Sequence, residues 1–343
     1  MAHYVGLDVS KLTTQICVID DEGRIVKEGS VATEPAAIVA YLRGERRRYR
    51  RIGLESIGFG SWLYEGIAKA GLPVICIEAR QAHSLLKAKL NKTDRNDARG
   101  IAEIMRTRAY KAVHIKTRES RDSKLILTAR RILIRKLRDI DNIVRSTLLQ
   151  HGLKIKPGGS ATFARRAIQL AQSEQLLTEI VAAFLDVRAV LVDKVALLEG
   201  KIEARVRSDA VCRRLMTACG VGALTALSFR AAIDVPERFA NSRDVAVHLG
   251  LTPRKYESGL ISRQKHISKC GDSEARAALF MSAKSVLRPT TRPSELQAWA
   301  HHLYESKEYR VAAVAVARRL AVILHRMWIT GSDFRWLVEV EGT

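Results

Sequence analysis

The first 79 residues constrain the fold most strongly, because short β-type runs alternate there with helical segments. Three consecutive strand-like runs, HYVGLDVS, TTQICVID and GRIVKEGSVAT, come before any helix, and the turn DEG separates the last two. The segments EPAAIVAYLRGERRR and SWLYEGIAKAG then predict helices, whereas RIGLESIG and PVICIEA predict strands. Three antiparallel strands followed by alternating helices and strands indicate an α/β fold with a mixed sheet.

Long helices dominate the middle of the chain. Apolar residues at steps of three and four predict one helix over residues 119–152 and another over 177–202, with the breaker KPGGS between them. The second apolar seam includes Ile180 and Val187. Such seams are typical of coiled coils. Either the two helices pack on each other as an antiparallel hairpin or they join two protomers, and both alternatives stay open.

The last third of the chain predicts a mainly helical unit. Two short helices flank Gly220-Val221-Gly222, a basic, loop-like stretch covers 245–272, and helices follow near 275–287 and 309–328. We therefore predict three domains: an α/β domain over 1–118, a coiled-coil region over 119–208, and a mainly α domain over 209–343.

The charge of the chain is strongly positive and unevenly distributed. Lys and Arg number 58 and Asp and Glu 36, a net charge of +22. Residues 80–138 contain 18 of the basic residues and only 5 acidic ones. A localised excess favours a polyanionic partner, since each neutralised phosphate releases counterions. The candidate nucleic-acid-binding residues of this stretch are Lys87, Lys89, Lys92, Arg95, Arg99, Arg130, Arg131, Arg135 and Lys136.

Composition excludes several other classes of protein. With 47% hydrophobic and 27% charged residues the chain is not globally disordered. No apolar run approaches the roughly 18 residues of a membrane helix, and MAHYVGLDVS does not resemble a secretory signal. We expect a cytoplasmic or nucleoid-associated protein. Its 5 cysteines lack a CxxC pair, so we expect reduced, mostly buried thiols.

Four carboxylates form the candidate catalytic group. Asp8 and Glu55 lie within predicted strands among apolar residues, where an acid is costly to bury unless it binds something. Asp94 and Asp97 are three residues apart on a helix that Thr93 would cap. Carboxylates brought together need cations to stay ionised, and their hard oxygen atoms suit Mg²⁺. Two such ions could promote phosphodiester cleavage.

Other interpretations of these residues are weaker or remain open. Asp94 and Asp97 alone could simply stabilise a helix start. Both a ribonuclease-H-like sheet and one half of an actin-like ATPase have the predicted strand order, but the ATPase needs a Gly- and Thr-rich turn where Val9, Ser10 and Lys11 stand. The turn at Gly220 and Gly222 could bind a phosphate through backbone N–H groups or could only join two helices.

The motifs that carry the four acids resemble those of a known family. GLDVSK, GLES and NKTDRNDARGIAE, which carry the four acids, are similar to those of the DEDD transposases of the IS110 and IS1111 insertion sequences, kin of the Piv-type invertases. ACGVGALTA, FANSRDVAVHLGLTPRKYESG and ISKCGDSEARAAL resemble the same family's C-terminal domain.

The resemblance implies both a fold and a reaction. It implies a RuvC-like ribonuclease-H domain, a coiled-coil middle and a small transposase domain with a helix-hairpin-helix-like turn and a nucleophilic serine. By motif position that serine is Ser258, with Ser262 and Ser268 as alternatives. The basic residues around it are Arg254, Lys255, Arg263, Lys265 and Lys269.

In the implied reaction, Ser258 forms a covalent phosphoserine link to DNA while Asp8, Glu55, Asp94 and Asp97 hold Mg²⁺ or Mn²⁺. The implied partners are target and donor DNA, a bridge RNA and further copies of the chain, as a dimer or tetramer. Three alternatives stay open: a Holliday-junction resolvase that uses only the acids, an invertase without an RNA guide, and a non-catalytic nucleic-acid-binding protein.

Overall fold

The computed structural model describes residues 2–45, 47–56, 58, 60–86, 93–258, 261–288 and 293–337. Tertiary contacts divide the chain into two compact units, residues 1–116 and 117–343. The three-domain division within these residues stays a prediction. No helix in the described part of the chain is both long and apolar enough to span a membrane.

Unit 1 is built on a five-stranded mixed sheet, as predicted. Its strands are β1 (His3–Val9), β2 (Thr13–Ile19), β3 (Ile25–Ala32), β4 (Tyr49–Glu55) and β5 (Val74–Ile77), and its helices are α1 (Pro35–Arg43), α2 (Gly60–Lys69), α3 (Ala79–Leu86) and α4 (Asp94–Thr107). The spatial order is β3-β2-β1-β4-β5. The first three strands are antiparallel, and β4 and β5 run parallel to β1 and to each other. This sheet fits the ribonuclease-H-like fold.

Separate cores cover the two faces of the sheet. On one face, Leu7 and Leu54 pack with Ile38 of α1 and Leu63 of α2. On the other face, strand residues including Cys17 pack against α4. Helix α1 ends at Arg43, five residues earlier than predicted, and the next residue is Gly44, which has low helix propensity.

Unit 2 is mostly helical. Its helices are α5 (Arg118–Gln150), α6 (Ser160–Ala171), α7 (Gln175–Ser208), α8 (Ala210–Leu215), α9 (Ala223–Ile233), α10 (Ser242–His248), α11 (Ser273–Val286), α12 (Glu295–Ser306) and α13 (Tyr309–Thr330), and its strands are β6 (Pro253–Ser258) and β7 (Ile261–Ile267). One core joins α6 to the adjacent ends of α5 and α7. A second core joins the other ends of these long helices to α8 through α13.

The long helices α5 and α7 pack on each other within the chain and are antiparallel. Arg130 bonds to Glu199 at 2.5 Å, and Arg188 to Asp141 at 2.7 Å. The predicted seam of α7 is partly wrong: Ile180 and Val187 are exposed. The neighbouring positions 181 and 188 are buried instead. Arg188 can lie at the interface because Asp141 neutralises its charge.

Two predictions for the C-terminal residues were also wrong. The stretch 245–272 is not a loop, because it contains the end of α10 and a β-hairpin formed by β6 and β7. These strands lack apolar–polar alternation, so the periodicity on which strand prediction depends is absent. Helix α12 was not predicted either, and Ser294 caps it by accepting a hydrogen bond from the Gln297 N–H.

Candidate active site

Asp8 and Glu55 lie at neighbouring strand ends in unit 1. The register pairs Gly6 with Gly53 and Leu7 with Leu54 between parallel strands β1 and β4, so the next residues are Asp8 and Glu55. Because side chains alternate along a strand and Leu7 and Leu54 enter the core of α1 and α2, the two carboxylates are directed to the opposite face, which α4 covers. Both side chains are half-buried.

Helix α4 lies unusually close to this face. A Cβ on Gly6 would lie 2.0 Å from the Ala98 carbonyl oxygen and 2.4 Å from the Ala102 nitrogen, so only glycine fits there. Near the start of β1 and β4, the Arg51 side chain donates to the Arg106 carbonyl oxygen at 3.0 Å. The helix therefore runs antiparallel to β1, and its first turn points toward the end of the sheet that carries Asp8 and Glu55.

The first turn of α4 supplies the other two acids. Thr93 caps the helix, as predicted, since its side chain accepts a hydrogen bond from the Asn96 N–H at 3.2 Å. Asp94 and Asp97 occupy this turn, where the positive end of the helix dipole favours negative charge. All four acids thus belong to one end of one sheet and its covering helix.

The donor set fits a divalent metal ion by its chemistry. Four carboxylates provide the oxygen ligands that Mg²⁺ and Mn²⁺ prefer. Among the described residues, no three His, Cys, Asp or Glu side chains approach closely enough to form a metal centre. The four acids therefore fit the metal by ligand type, and their binding of it stays a prediction.

Arg95 and Arg99 of α4 form ion pairs with a carboxylate of unit 1. Glu28 of β3 accepts hydrogen bonds from Arg95 at 2.6 and 2.8 Å and from Arg99 at 2.5 and 2.8 Å. The hydrogen bonds from Arg99, followed by those from Arg95, lower the pKa of Glu28 to about 2. Lys87, Lys89 and Lys92 lie outside the described residues.

The sequence offered one signal for Glu28 that the prediction overlooked. Like Asp8, it is an acid inside a strand-type run, and its side chain is only 10% exposed. It lies opposite Cys17, whose burial raises the pKa of its thiol to about 12. Four of the five cysteines are buried and all five are free, as expected, and Cys270 is exposed.

The basic residues of α5 differ in their surroundings. Arg130 bonds to Glu199, and Arg131 lies 3.7 Å from Glu274. Arg135 and Lys136 are exposed, and Lys136 is 3.7 Å from Asp139. Three of these four predicted nucleic-acid-binding residues are thus exposed, namely Arg131, Arg135 and Lys136, whereas Arg130 is half-buried.

Ser258 lies at the tip of the β6–β7 hairpin. It pairs with Ile261 across a two-residue connection, and residues 259–260 lie outside the described part. The side chains of Lys255, Ser258, Ser262, Arg263 and Lys265 also lie outside it. The register nevertheless places Ser258 and Ser262 near the tip and Ser268 beyond the last residue of β7.

Hydrogen bonds hold the root of the hairpin, which is the end away from Ser258 where the chain enters β6 and leaves β7. Arg254 donates to the Ser268 carbonyl oxygen at 2.9 Å. Arg276 of α11 donates to the carbonyl oxygens of Leu249 at 2.9 Å and of Cys270 at 2.7 Å, on both sides of the hairpin. Lys269 has a left-handed backbone, with φ 54°, and its N–H bonds to the Gly250 carbonyl oxygen.

The two glycines of the turn before α9 have different environments. Gly220 has φ 74°, and a Cβ there would lie 2.7 Å from the Ser282 carbonyl oxygen, so this glycine permits close packing against α11. Gly222 is the N-cap of α9, and nothing lies within 4 Å of where its Cβ would be. Packing accounts for Gly220, whereas a phosphate contact at Gly222 stays a prediction.

Comparisons with known proteins agree with the motifs. A DEDD transposase family named for IS110 matches residues 5–152, and the transposase family IS116/IS110/IS902 matches residues 212–298. The transposase for insertion sequence element IS1111A of Coxiella burnetii is 27% identical over 96% of this chain and 91% of its own length. The transposase for insertion sequence element IS1328 of Yersinia enterocolitica is 24% identical over 99% of this chain and 97% of its own length.

Both the four-acid domain and the C-terminal motifs are thus found in one family, and the relatives match over nearly their whole length. The chain belongs to the IS110 family of insertion-sequence transposases and is a DNA transposase.

Proposed function

We propose that this transposase cuts and exchanges DNA strands with Mg²⁺ and a serine nucleophile. The observation that carries the proposal is the placement of Asp8, Glu55, Asp94 and Asp97 at one end of one sheet. These four residues would hold the metal ions, with Mn²⁺ as an alternative. Bound there, the ions would polarise the phosphodiester and stabilise the charge that develops on its oxygen atoms.

Ser258 would be the nucleophile. Its hydroxyl loses a proton to a base, its oxygen bonds to phosphorus, and the bond from phosphorus to one deoxyribose oxygen breaks, leaving that oxygen to take up a proton. The product is a phosphoserine link that conserves the energy of the phosphodiester, so that a second strand can attack it and be joined. The neighbouring Arg254, Lys255, Arg263, Lys265 and Lys269 would bind DNA phosphates.

A bridge RNA is proposed as a guide on the strength of the family resemblance. Charge supports it: +22 is a large excess for a chain that holds one duplex only. RNA recovered from the purified protein should contain one structured species encoded beside the gene. Random cellular RNA, or none, would contradict this part of the proposal.

We also propose that the protein acts as a homo-oligomer and that α7 contributes to the interface. The exposed apolar residues of α7 are Leu176, Ile180, Val187, Val190 and Leu197. Their steps of 4, 7, 3 and 7 follow a heptad, which suits a matching helix of a second copy. Val187→Glu should lower the oligomeric mass in solution. Leu125→Glu, on an exposed apolar residue of α5, should not.

Covalent trapping tests the reaction. Labelled DNA, Mg²⁺ and protein are mixed and denatured, and DNA that migrates with the protein is measured. We expect an adduct with the wild type and with Ser262→Ala and none with Ser258→Ala. If Ser258→Ala still cleaves and all products have free ends, the chain is a resolvase-like nuclease that depends on the acids alone.

A further inference from the structure

Glu28 makes the most extensive set of side-chain contacts near the proposed metal site. Four hydrogen bonds of 2.5 to 2.8 Å join its two carboxylate oxygens to Arg95 and Arg99 of α4. Its side chain is 10% exposed, while those of Arg95 and Arg99 are 65% and 34% exposed. Arg99 is bidentate, since it donates to both carboxylate oxygens, whereas both donors of Arg95 reach the same oxygen. A nearly buried carboxylate held in this way fixes geometry as well as charge.

Arg95 and Arg99 lie on one flank of α4 and Asp97 on the other, with Asp94 between them. Successive residues of a helix are rotated by about 100°. Relative to the buried line through Ala98, Ile101 and Met105, Asp97 is then rotated by about 70° one way and Asp94 by only about 15° the same way. Arg95 and Arg99 are rotated by about 90° and about 130° the other way.

The strands beneath α4 are arranged in a matching order, with β3 on the arginine side of the helix and β4 on the aspartate side. Glu28 lies on the edge strand β3, opposite Cys17 of β2, which lies opposite Gly6 of β1. On the other side of β1, Gly53 of β4 packs against Ile101 and Met105. The arginine flank of α4 therefore faces β3, and the aspartate flank faces β4, whose last residue is Glu55.

We propose that Glu28 is a positioning residue for the carboxylate site, an inference that rests on the proposed function. By holding Arg95 and Arg99 over β3, it sets the rotation of α4 that turns Asp94 and Asp97 toward Asp8 and Glu55. It also neutralises two guanidinium groups one or two residues from these aspartates, which would otherwise repel a metal ion or form ion pairs with its ligands.

Arg95 and Arg99 then have a structural role rather than a nucleic-acid-binding one. Sequence alone assigned them to nucleic-acid binding, since they belong to the most basic stretch of the chain. In the structure their donors are directed at Glu28, so their role is to orient α4. Substituting Arg99 should therefore resemble substituting Glu28 rather than removing a phosphate-binding group.

Direct binding of Mn²⁺ tests the proposal without catalysis. Binding to the full chain without DNA is followed by electron paramagnetic resonance, which detects the free ion. Glu28→Gln should weaken binding by about tenfold, the scale of a residue that orients metal ligands. Glu28→Asp, which keeps the charge, should recover part of the loss. Arg99→Gln should weaken binding similarly, and the double variant should lose little more than either single one.

Glu103→Gln is the matched control. It removes the ion pair between Glu103 and Arg106 on the same helix, about two turns from the aspartates, and should leave Mn²⁺ affinity unchanged. If Glu28→Gln does not fold, Arg95→Gln removes only the more exposed partner and should still weaken binding.

Two failures are distinguishable. If Asp8→Asn binds Mn²⁺ as well as the wild type does, the proposed metal site itself is wrong. If Asp8→Asn loses Mn²⁺ while Glu28→Gln binds like the wild type, or Glu103→Gln loses as much as Glu28→Gln, only the positioning role is overturned.

Discussion

The four-acid end of unit 1 and the serine hairpin of unit 2 are held in different ways. The strands that carry Asp8 and Glu55 are flanked by other strands and covered on both faces, with a core under each. The hairpin that carries Ser258 is a two-stranded ribbon, and its described anchors, Arg254 and Arg276, are at its root.

This difference fits a division of the proposed chemistry, with metal binding in unit 1 and nucleophilic attack in unit 2. Metal ligands must be placed to within a few tenths of an ångström, which close packing on both faces of a sheet can provide. A nucleophile on a two-stranded hairpin is oriented instead by the backbone hydrogen bonds between the two strands and by the contacts where the hairpin joins the rest of the unit. Substitutions in the acid region should therefore affect geometry and stability together, whereas substitutions near the hairpin tip should affect chemistry alone.

The largest expected effect is loss of cleavage in Asp8→Asn. Removing one metal ligand should slow strand cleavage by about a thousandfold, equivalent to about 4 kcal/mol, because charge on the phosphate is no longer stabilised. A gel assay for cleavage beside one for DNA binding measures this, and binding should persist. Glu22→Gln, in the turn at the opposite end of the sheet, is the control. A fully active Asp8→Asn would exclude the acid site.

Packing predicts the next largest effect. Gly6→Ala places a methyl group against backbone atoms of α4 and should lower the free energy of unfolding by about 3 kcal/mol. Gly200→Ala, in α7 with nothing nearby, should raise it by about 0.5–1 kcal/mol. Ser258→Ala should change it by less than about 0.5 kcal/mol. Denaturant titrations measure all three, and a large decrease with Ser258→Ala would contradict the contrast between the regions.

Lowering the pH should remove the contribution of Glu28 to the free energy of unfolding. Its pKa in the folded chain is about 2 against an ordinary 4.5, so the stabilisation is fully present above pH 4.5 and is lost as the pH falls toward 2. Wild type and Glu28→Gln should differ by about 2 kcal/mol in free energy of unfolding at pH 6. The difference should shrink below pH 4.5. A difference that is constant down to pH 3 would mean that the ion pairs do not produce it.

The smallest expected effect concerns α5. Replacing Arg135 and Lys136 with Gln should weaken DNA binding and reduce the slope of log affinity against log salt by about one for each phosphate that is no longer neutralised. Arg130→Gln should change that slope less, since Arg130 bonds to Glu199. Affinities measured over a range of salt concentrations decide this. An unchanged slope in the double variant would place the binding face elsewhere.

The sheet and the acids of unit 1 could be predicted because burial leaves a pattern in the sequence. Strands with buried faces are rich in apolar residues, so Asp8 and Glu55 were conspicuous, and Thr93 followed by two acids marked a helix start. The β6–β7 hairpin could not be predicted, because its largely polar strands lack the apolar–polar alternation from which strands are predicted. The ion pairs of Arg95 and Arg99 could not be predicted either, since Glu28 is 67 residues from Arg95 in sequence.

Mass spectrometry of the trapped adduct tests whether Ser258 is the nucleophile and depends on the acid site. After nuclease and trypsin digestion, one peptide, Tyr256–Arg263, contains both Ser258 and Ser262, whereas His266–Lys269 contains Ser268. We expect a nucleotide on Tyr256–Arg263, placed by fragmentation on Ser258, in the wild type with Mg²⁺ and not in Asp8→Asn. A nucleotide on any other residue, or cleavage with no modified peptide, would contradict it.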